Sequence, residues 1–205
     1  MHRLITLCAA LAMAGAASHT AASATVGDSA PAFSAVDSRG KAVNLADFKG
    51  RHVVLEWVNP GCPFVVKHYG AGNMQATQKG AADKGVVWLA INSTSKDHGD
   101  YRAPEAMNTW MQGHKASANA TLMDERGKIG RAYGARTTPH MYVIDPAGKL
   151  VYAGAIDSKA TANPTDIATA TNHVNAALAQ TLASKAVTVA QTRAYGCSVK
   201  YSSPA

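Results

Sequence analysis

The sequence predicts a three-layer α/β fold, a central mixed sheet with helices on both faces. Two runs, Arg51–Val58 and Val86–Ser93, are nearly unbroken in apolar residues, as strands buried on both faces must be. Helical segments separate the strands, and toward the end the turn Asp145-Pro146-Ala147-Gly148 joins two short apolar runs, the mark of an antiparallel hairpin. Together these patterns require parallel strands with helical crossovers, then a hairpin and a closing helix.

The chain opens with His2 and Arg3, an apolar run Leu4–Ala17 and small residues ending Ala22-Ser23-Ala24, so residues 1–24 read as a signal peptide for export to the periplasm or beyond. The run is short for a membrane span, and no later segment reaches the roughly 18 apolar residues a transmembrane helix needs. Residues 25–182 are read as one domain and residues 183–205 as a tail. Ala32–Val36 and Lys41–Leu45 flank the turn Asp37-Ser38-Arg39-Gly40. After Arg51–Val58 comes Asn59-Pro60-Gly61, and a helix starts at Pro63, where proline suits the first helical position. It bends near Gly70-Ala71-Gly72 and resumes toward Gly85. The strand Val86–Ser93, a helix Pro104–Gly113, a strand at Thr121–Met123 and a helix Lys128–Tyr133 follow. The strands His140–Ile144 and Lys149–Ala153 form the hairpin, and an amphipathic helix is expected over Pro164–Leu182.

Among 205 residues, 20 Lys and Arg outweigh 13 Asp and Glu, but they are scattered from Lys41 to Lys200. Without a basic cluster or interleaved aromatics, a nucleic-acid partner is excluded. Of the 3 cysteines, Cys8 lies in the signal segment, which leaves Cys62 and Cys197 as one disulfide or two thiols in an oxidising compartment. Cys62 ends a buried strand and precedes a proline-started helix. There the helix dipole and free N–H groups favour a thiolate, the nucleophilic form. Glu56, in the same strand, is costly to bury unless partnered or protonated. Its position six residues before Cys62 resembles that of the buried acid of thioredoxin, which implies a relay of protons to the thiol, the alternative being a side chain that reaches a polar edge and hydrogen-bonds there.

The segments Leu55–Phe64 and Thr137–Lys149 resemble the two halves of a thioredoxin-like redoxin site. The stretches Cys62–Tyr69, Gly85–Trp88 and Gly196–Tyr201 are similar to bacterial exported redoxin-domain proteins of the alkyl hydroperoxide reductase and thiol-specific antioxidant group. The resemblance implies a thioredoxin-like fold, thiol redox chemistry without a cofactor, and a cis peptide before Pro139 facing Cys62. It implies a substrate lined by Trp57, Pro63, Phe64, Thr138 and Pro139, with the Thr138 peptide edge open to pair with it. The expected partners are a peroxide or disulfide substrate and an external thiol reductant. Thioredoxin's second active-site cysteine would fall at Val65, so Cys197 is the internal candidate for a resolving thiol. The peroxiredoxin positions for proline and threonine hold Leu55 and Asn59, which argues against a standard peroxidase pocket.

Two other classes compete. Cys62 with His68 and His140 could bind copper, although copper chaperones of this fold carry a second nearby cysteine; His68 is expected on an exposed helix face and His140 in a strand. Alternatively, the chain is a non-catalytic adaptor stapled by a Cys62–Cys197 disulfide. Arg131 and Arg136 read as solvated surface, and Met74, Met107, Met111, Met123 and Met141 as core filling.

Overall fold

The computed structural model describes residues 23–203; nearly all of the expected signal segment lies outside them. Five strands build the central sheet: β3 (Val53–Trp57), β4 (Val87–Asn92), β5 (Ala120–Met123), β7 (His140–Ile144) and β8 (Leu150–Gly154), in the spatial order β5-β4-β3-β7-β8. β3 runs parallel to β4 and β4 to β5, while β7 is antiparallel to β3 and to β8. This is the mixed three-layer sheet expected. The lead-in forms a separate hairpin, β1 (Ser34–Val36) with β2 (Ala42–Asn44), closed by the Asp37 carboxylate, which accepts from the Arg39 and Lys41 N–H groups.

Alternation along β3 sorts two cores. Val54 and the following Val58 face a cluster built with Cys62, Val65, Tyr69, Met74, Trp88, Met107, Met141 and Val174. Trp88 and Met141 come from β4 and β7, and Cys62 precedes α1 (Pro63–Gly70), which supplies Val65 and Tyr69; Met74 comes from α2 (Asn73–Ala82), Met107 from α3 (Pro104–Gly113) and Val174 from α5 (His173–Leu182). Val53, Leu55 and Trp57 face the other cluster, with Ile129 and Tyr133 of α4 (Lys128–Tyr133) and with Phe33 and Phe48 of the lead-in. The break between α1 and α2 falls where the glycines require it: Gly72 caps α2 at φ 73°, a left-handed position that costs glycine little.

Two expectations are corrected. The Pro164–Leu182 helix is split into a short tight turn, Pro164–Thr169, and α5. Ala170 is extended at φ −84°, ψ 139°, because Asn172 pairs with Asp157 and its side chain caps α5 by accepting from Asn175 N–H. The tail, without periodicity in sequence, is built into the fold. It runs along β8, with Ala153 N–H to Ala190 O at 3.1 Å and Thr192 N–H to Ala153 O at 3.1 Å. It then crosses to form β9 (Cys197–Ser198), antiparallel to β6 (Thr137–Thr138).

Candidate active site

Cys62 is the N-cap of α1, and Pro63 occupies the first turn. The turn before it is tied by Asn59, whose backbone O accepts from Cys62 N–H at 3.0 Å. The Asn59 Oδ1 accepts from Gly61 N–H at 2.9 Å, and its Nδ2 donates to Asp100 Oδ2 at 3.1 Å. The thiol is 1% exposed and donates to Thr138 O at 3.0 Å. The Thr138–Pro139 peptide is cis, as the resemblance implies, and its loop faces the cysteine.

β9 places Cys197 opposite Thr138, so the tail brings the second thiol to the first; both are free. Burial pushes the Cys62 thiol up. The Cys197 thiol, the Thr138 hydroxyl and the N–H groups of Cys197 and Val65 outweigh that, and the net direction is down. Thr138 Oγ1 has no other partner and is free to donate to a thiolate. Cys197 moves the opposite way, to about 11, through burial, its hydrogen bond to Cys62 and the charge of Cys62. The pair is therefore polarised, with Cys62 the acidic member and Cys197 its proton-holding neighbour.

Tyr195 and Tyr201 fix the tail on either side of Cys197. The Tyr195 hydroxyl donates to Asp157 Oδ1 at 2.5 Å and lies 3.2 Å from His68 Nε2. Its ring packs on Phe64 at 5.8 Å and under the Lys67 ammonium at 5.9 Å. Asp157, Lys67 and His68 are all buried, with Asp157 Oδ2 at 3.8 Å from Lys67 Nζ and 3.9 Å from His68 Nε2. Burial lowers His68 to about 4, although Asp157 opposes this. The ring is therefore neutral, and Asn73 Nδ2 at 2.8 Å from Nδ1 leaves Nε2 to donate to Tyr195. Tyr201 donates to Ala135 O at 2.8 Å and stacks under Arg131 at 4.7 Å, while Arg131 donates to Ser202 O at 2.7 Å. Lys200 O accepts from Ser95 N–H at 2.8 Å.

These placements correct several expectations. The Thr138 edge is not open, because β9 occupies it. Trp57 is fully buried on the opposite face of the sheet, where its indole N–H donates to Ser93 Oγ at 3.0 Å; it is closed to substrate. Pro63 is exposed beside Cys62, Phe64 is half-buried under Tyr195, and Thr138 and Pro139 are buried under the tail. His68 is buried rather than exposed, whereas Arg131 is exposed as expected and in addition anchors the tail. His140 is buried on the Trp57 face, with its Nδ1 accepting from Arg136 N–H at 3.3 Å. Among the described residues, no group of three or more His, Cys, Asp or Glu is arranged to hold a metal.

Glu56 reaches no polar edge. It is completely buried on the Cys62 face and accepts from Tyr69 Oη at 2.9 Å, Trp88 Nε1 at 2.7 Å and Gln78 Nε2 at 3.1 Å. Burial raises its carboxyl to about 7 against the pull of those donors. Asp157 and Tyr195 carry no signal in the sequence, while Lys67 and Tyr201 stand there only as members of the stretches Cys62–Tyr69 and Gly196–Tyr201, without a role.

Comparison with known proteins agrees with this architecture. A family model described as Redoxin matches residues 25–172. The thiol-disulfide oxidoreductase ResA of Bacillus thuringiensis subsp. konkukian is 26% identical over 126 residues, 62% of this chain and 67% of ResA. An uncharacterized conserved protein of Geobacillus kaustophilus superposes with a TM-score of 0.74 at 28% identity, covering 88% of this chain and 94% of the other. The thioredoxin domain of a thiol-disulfide oxidoreductase from Bacteroides vulgatus has a TM-score of 0.50 at 26% identity, covering 64% of this chain and 89% of that domain.

Proposed function

The chain belongs to the Redoxin family, and from that premise we propose that it is a thiol–disulfide oxidoreductase whose working couple is Cys62 and Cys197. It is a thiol-based oxidoreductase with a thioredoxin-like fold. The observation that carries the proposed assignment is the docking of Cys197 opposite Thr138, against the lowered thiol of Cys62. A thiolate that attacks a substrate disulfide becomes half of a mixed disulfide and needs a second thiol to release it. Seating that thiol on a strand beside the first supplies it at high effective concentration.

In this scheme the Cys62 thiolate attacks one sulfur of the substrate disulfide and the other sulfur leaves as a thiolate. Cys197, deprotonated, then attacks Cys62 Sγ, releasing the substrate as a dithiol and leaving a Cys62–Cys197 disulfide. An external thiol reductant returns the couple to two thiols. Glu56 is assigned a supporting part. Protonated below about pH 7, it keeps a like charge off the sheet face beneath Cys62 while the thiolate forms. Pro63, Phe64, Thr138 and Pro139 line the reacting sulfur once the tail gives way. We further propose that residues 1–24 direct export to the periplasm, where such chemistry operates. Among the described residues, no helix is long and apolar enough to cross a membrane.

The test is turnover of glutathione disulfide against hydrogen peroxide with dithiothreitol as donor. Disulfide turnover that disappears in Cys62→Ser is the expected result. Turnover unchanged by that substitution overturns the assignment, and peroxide turnover in place of disulfide turnover would move the protein to the antioxidant reading.

A further inference from the structure

The two sulfurs of the proposed couple differ in access. Cys62 is 1% exposed, belongs to the same buried core cluster as Val58, Val65, Met141 and Ile156, and is covered by the tail strand that pairs with Thr138. Cys197 is half-buried on the outer strand, next to exposed Ser198. Gly196 lets this strand lie so close: at φ 132° it passes where a Cβ would run into the Thr138 carbonyl. With Tyr195 and Tyr201 fixed on either side, Cys197 stays presented at the surface while Cys62 stays beneath it.

Thiol–disulfide exchange depends on which sulfur is attacked and which leaves. Resting on the Cys62–Cys197 couple proposed above, we infer that the external reductant exchanges with the oxidised protein at Cys197, and that Cys62 is the internal leaving group. A donor thiolate bonds to Cys197 Sγ, the Cys197–Cys62 bond breaks, and the electron pair departs on Cys62 Sγ as a thiolate. A second donor thiolate attacks the donor sulfur of the mixed disulfide. The donor leaves as its own disulfide, and Cys197 takes a proton from water, so two electrons have entered the couple. The opposing shifts of the two thiols, Cys62 down and Cys197 up, agree with this direction, because the more acidic thiol leaves faster. The same difference gives the mixed disulfide on Cys197 a lifetime, since Cys197 is the poorer leaving group. The surface a reductant must recognise is then the tail strand and its flanks, Asp100 and Lys200, whose charges act on Cys197.

The test uses the full oxidised protein, with its Cys62–Cys197 link first verified by non-reducing peptide mapping. It is mixed with glutathione and quenched at successive early times with N-ethylmaleimide at low pH. Trypsin separates the two cysteines, because Arg51 and Lys67 bracket Cys62 while Arg193 and Lys200 bracket Cys197. The expected result is glutathione on the Cys197 peptide in about tenfold excess or more in the earliest samples, with maleimide on Cys62. Glutathione first on Cys62, or on both peptides equally, overturns the inference while leaving the couple intact. A starting protein in which no link forms overturns the couple itself, and the inference with it.

Discussion

Tyr195→Phe removes one hydroxyl from the tail anchor and should open the roof over Cys62. That hydroxyl donates to the Asp157 carboxylate at 2.5 Å and lies within hydrogen-bond reach of His68. Asp157 Oδ1 retains the Lys159 N–H at 3.0 Å and Asp157 keeps the Lys67 ion pair, so the substitution removes a charge-assisted bond without stranding the acid. The ring contacts with Phe64 and Lys67 also survive. A hydrogen bond to a charged group contributes roughly 1.5–3 kcal/mol, which raises the population of tail-released protein about 10- to 150-fold. Because Cys62 is 1% exposed, its alkylation by iodoacetamide must pass through such openings, and its rate follows their population. The assay is mass-spectrometric counting of the alkylated Cys62 peptide over time in reduced protein, at one pH, for wild type and variant. A rate unchanged by Tyr195→Phe, with the global stability of the two proteins matched, would refute the view that this buried cluster holds the tail over the thiol.

Other outcomes follow from the same geometry. Cys197→Ala removes a thiol that donates to Cys62, so the thiolate absorbance of Cys62 near 240 nm should appear at higher pH than in wild type; an unmoved or lower midpoint contradicts the polarised pair. Glu56 has its folded-state pKa raised to about 7 from 4.5, so the folded protein keeps a proton that the unfolded chain gives up. Its contribution therefore falls as pH rises from 4.5 to 7, by about 1.4 kcal/mol per unit and up to roughly 3 kcal/mol. In urea titrations Glu56→Gln should gain on wild type between pH 5 and pH 8, and parallel stabilities at both would remove the explanation. Gly196→Ala puts a methyl against the Thr138 carbonyl at a left-handed backbone position, a strain of roughly 1–3 kcal/mol. It should slow Cys62–Cys197 bond formation by about tenfold or more, measured by acid-quenched peptide mapping.

Where local chemistry sets the structure, the sequence was readable. Pro104 to Gly113 and Lys128 to Tyr133 are helices with the bounds read from the residues. β3 and β4 announce themselves through uninterrupted burial, and Cys62 through its place between strand and proline. What stayed hidden depends on partners distant in the chain. β9 is only Cys197–Ser198, too short to carry a period, and exists because β6 offers it an edge. His68 looks like a surface helix residue until Asp157 and Tyr195 arrive from other elements to satisfy it. Trp57 sits next to the site in sequence, but alternation along β3 sends it to the opposite face. The break before α5 is set by Asn172, whose capping and pairing outweigh the helical pattern on either side.

The proposed chemistry requires Cys62 and Cys197 to be a reversible couple within the folded protein. Equilibrating the native protein across a range of glutathione and glutathione disulfide ratios, then quenching in acid and taking intact masses with non-reducing peptide maps, measures this directly. A reversible couple gives a single cooperative loss of two hydrogens, with the Cys62 and Cys197 peptides recovered as a linked pair and restored to two thiols when the ratio is reversed. Two thiols that remain free, or that take up glutathione separately without ever linking, would contradict it.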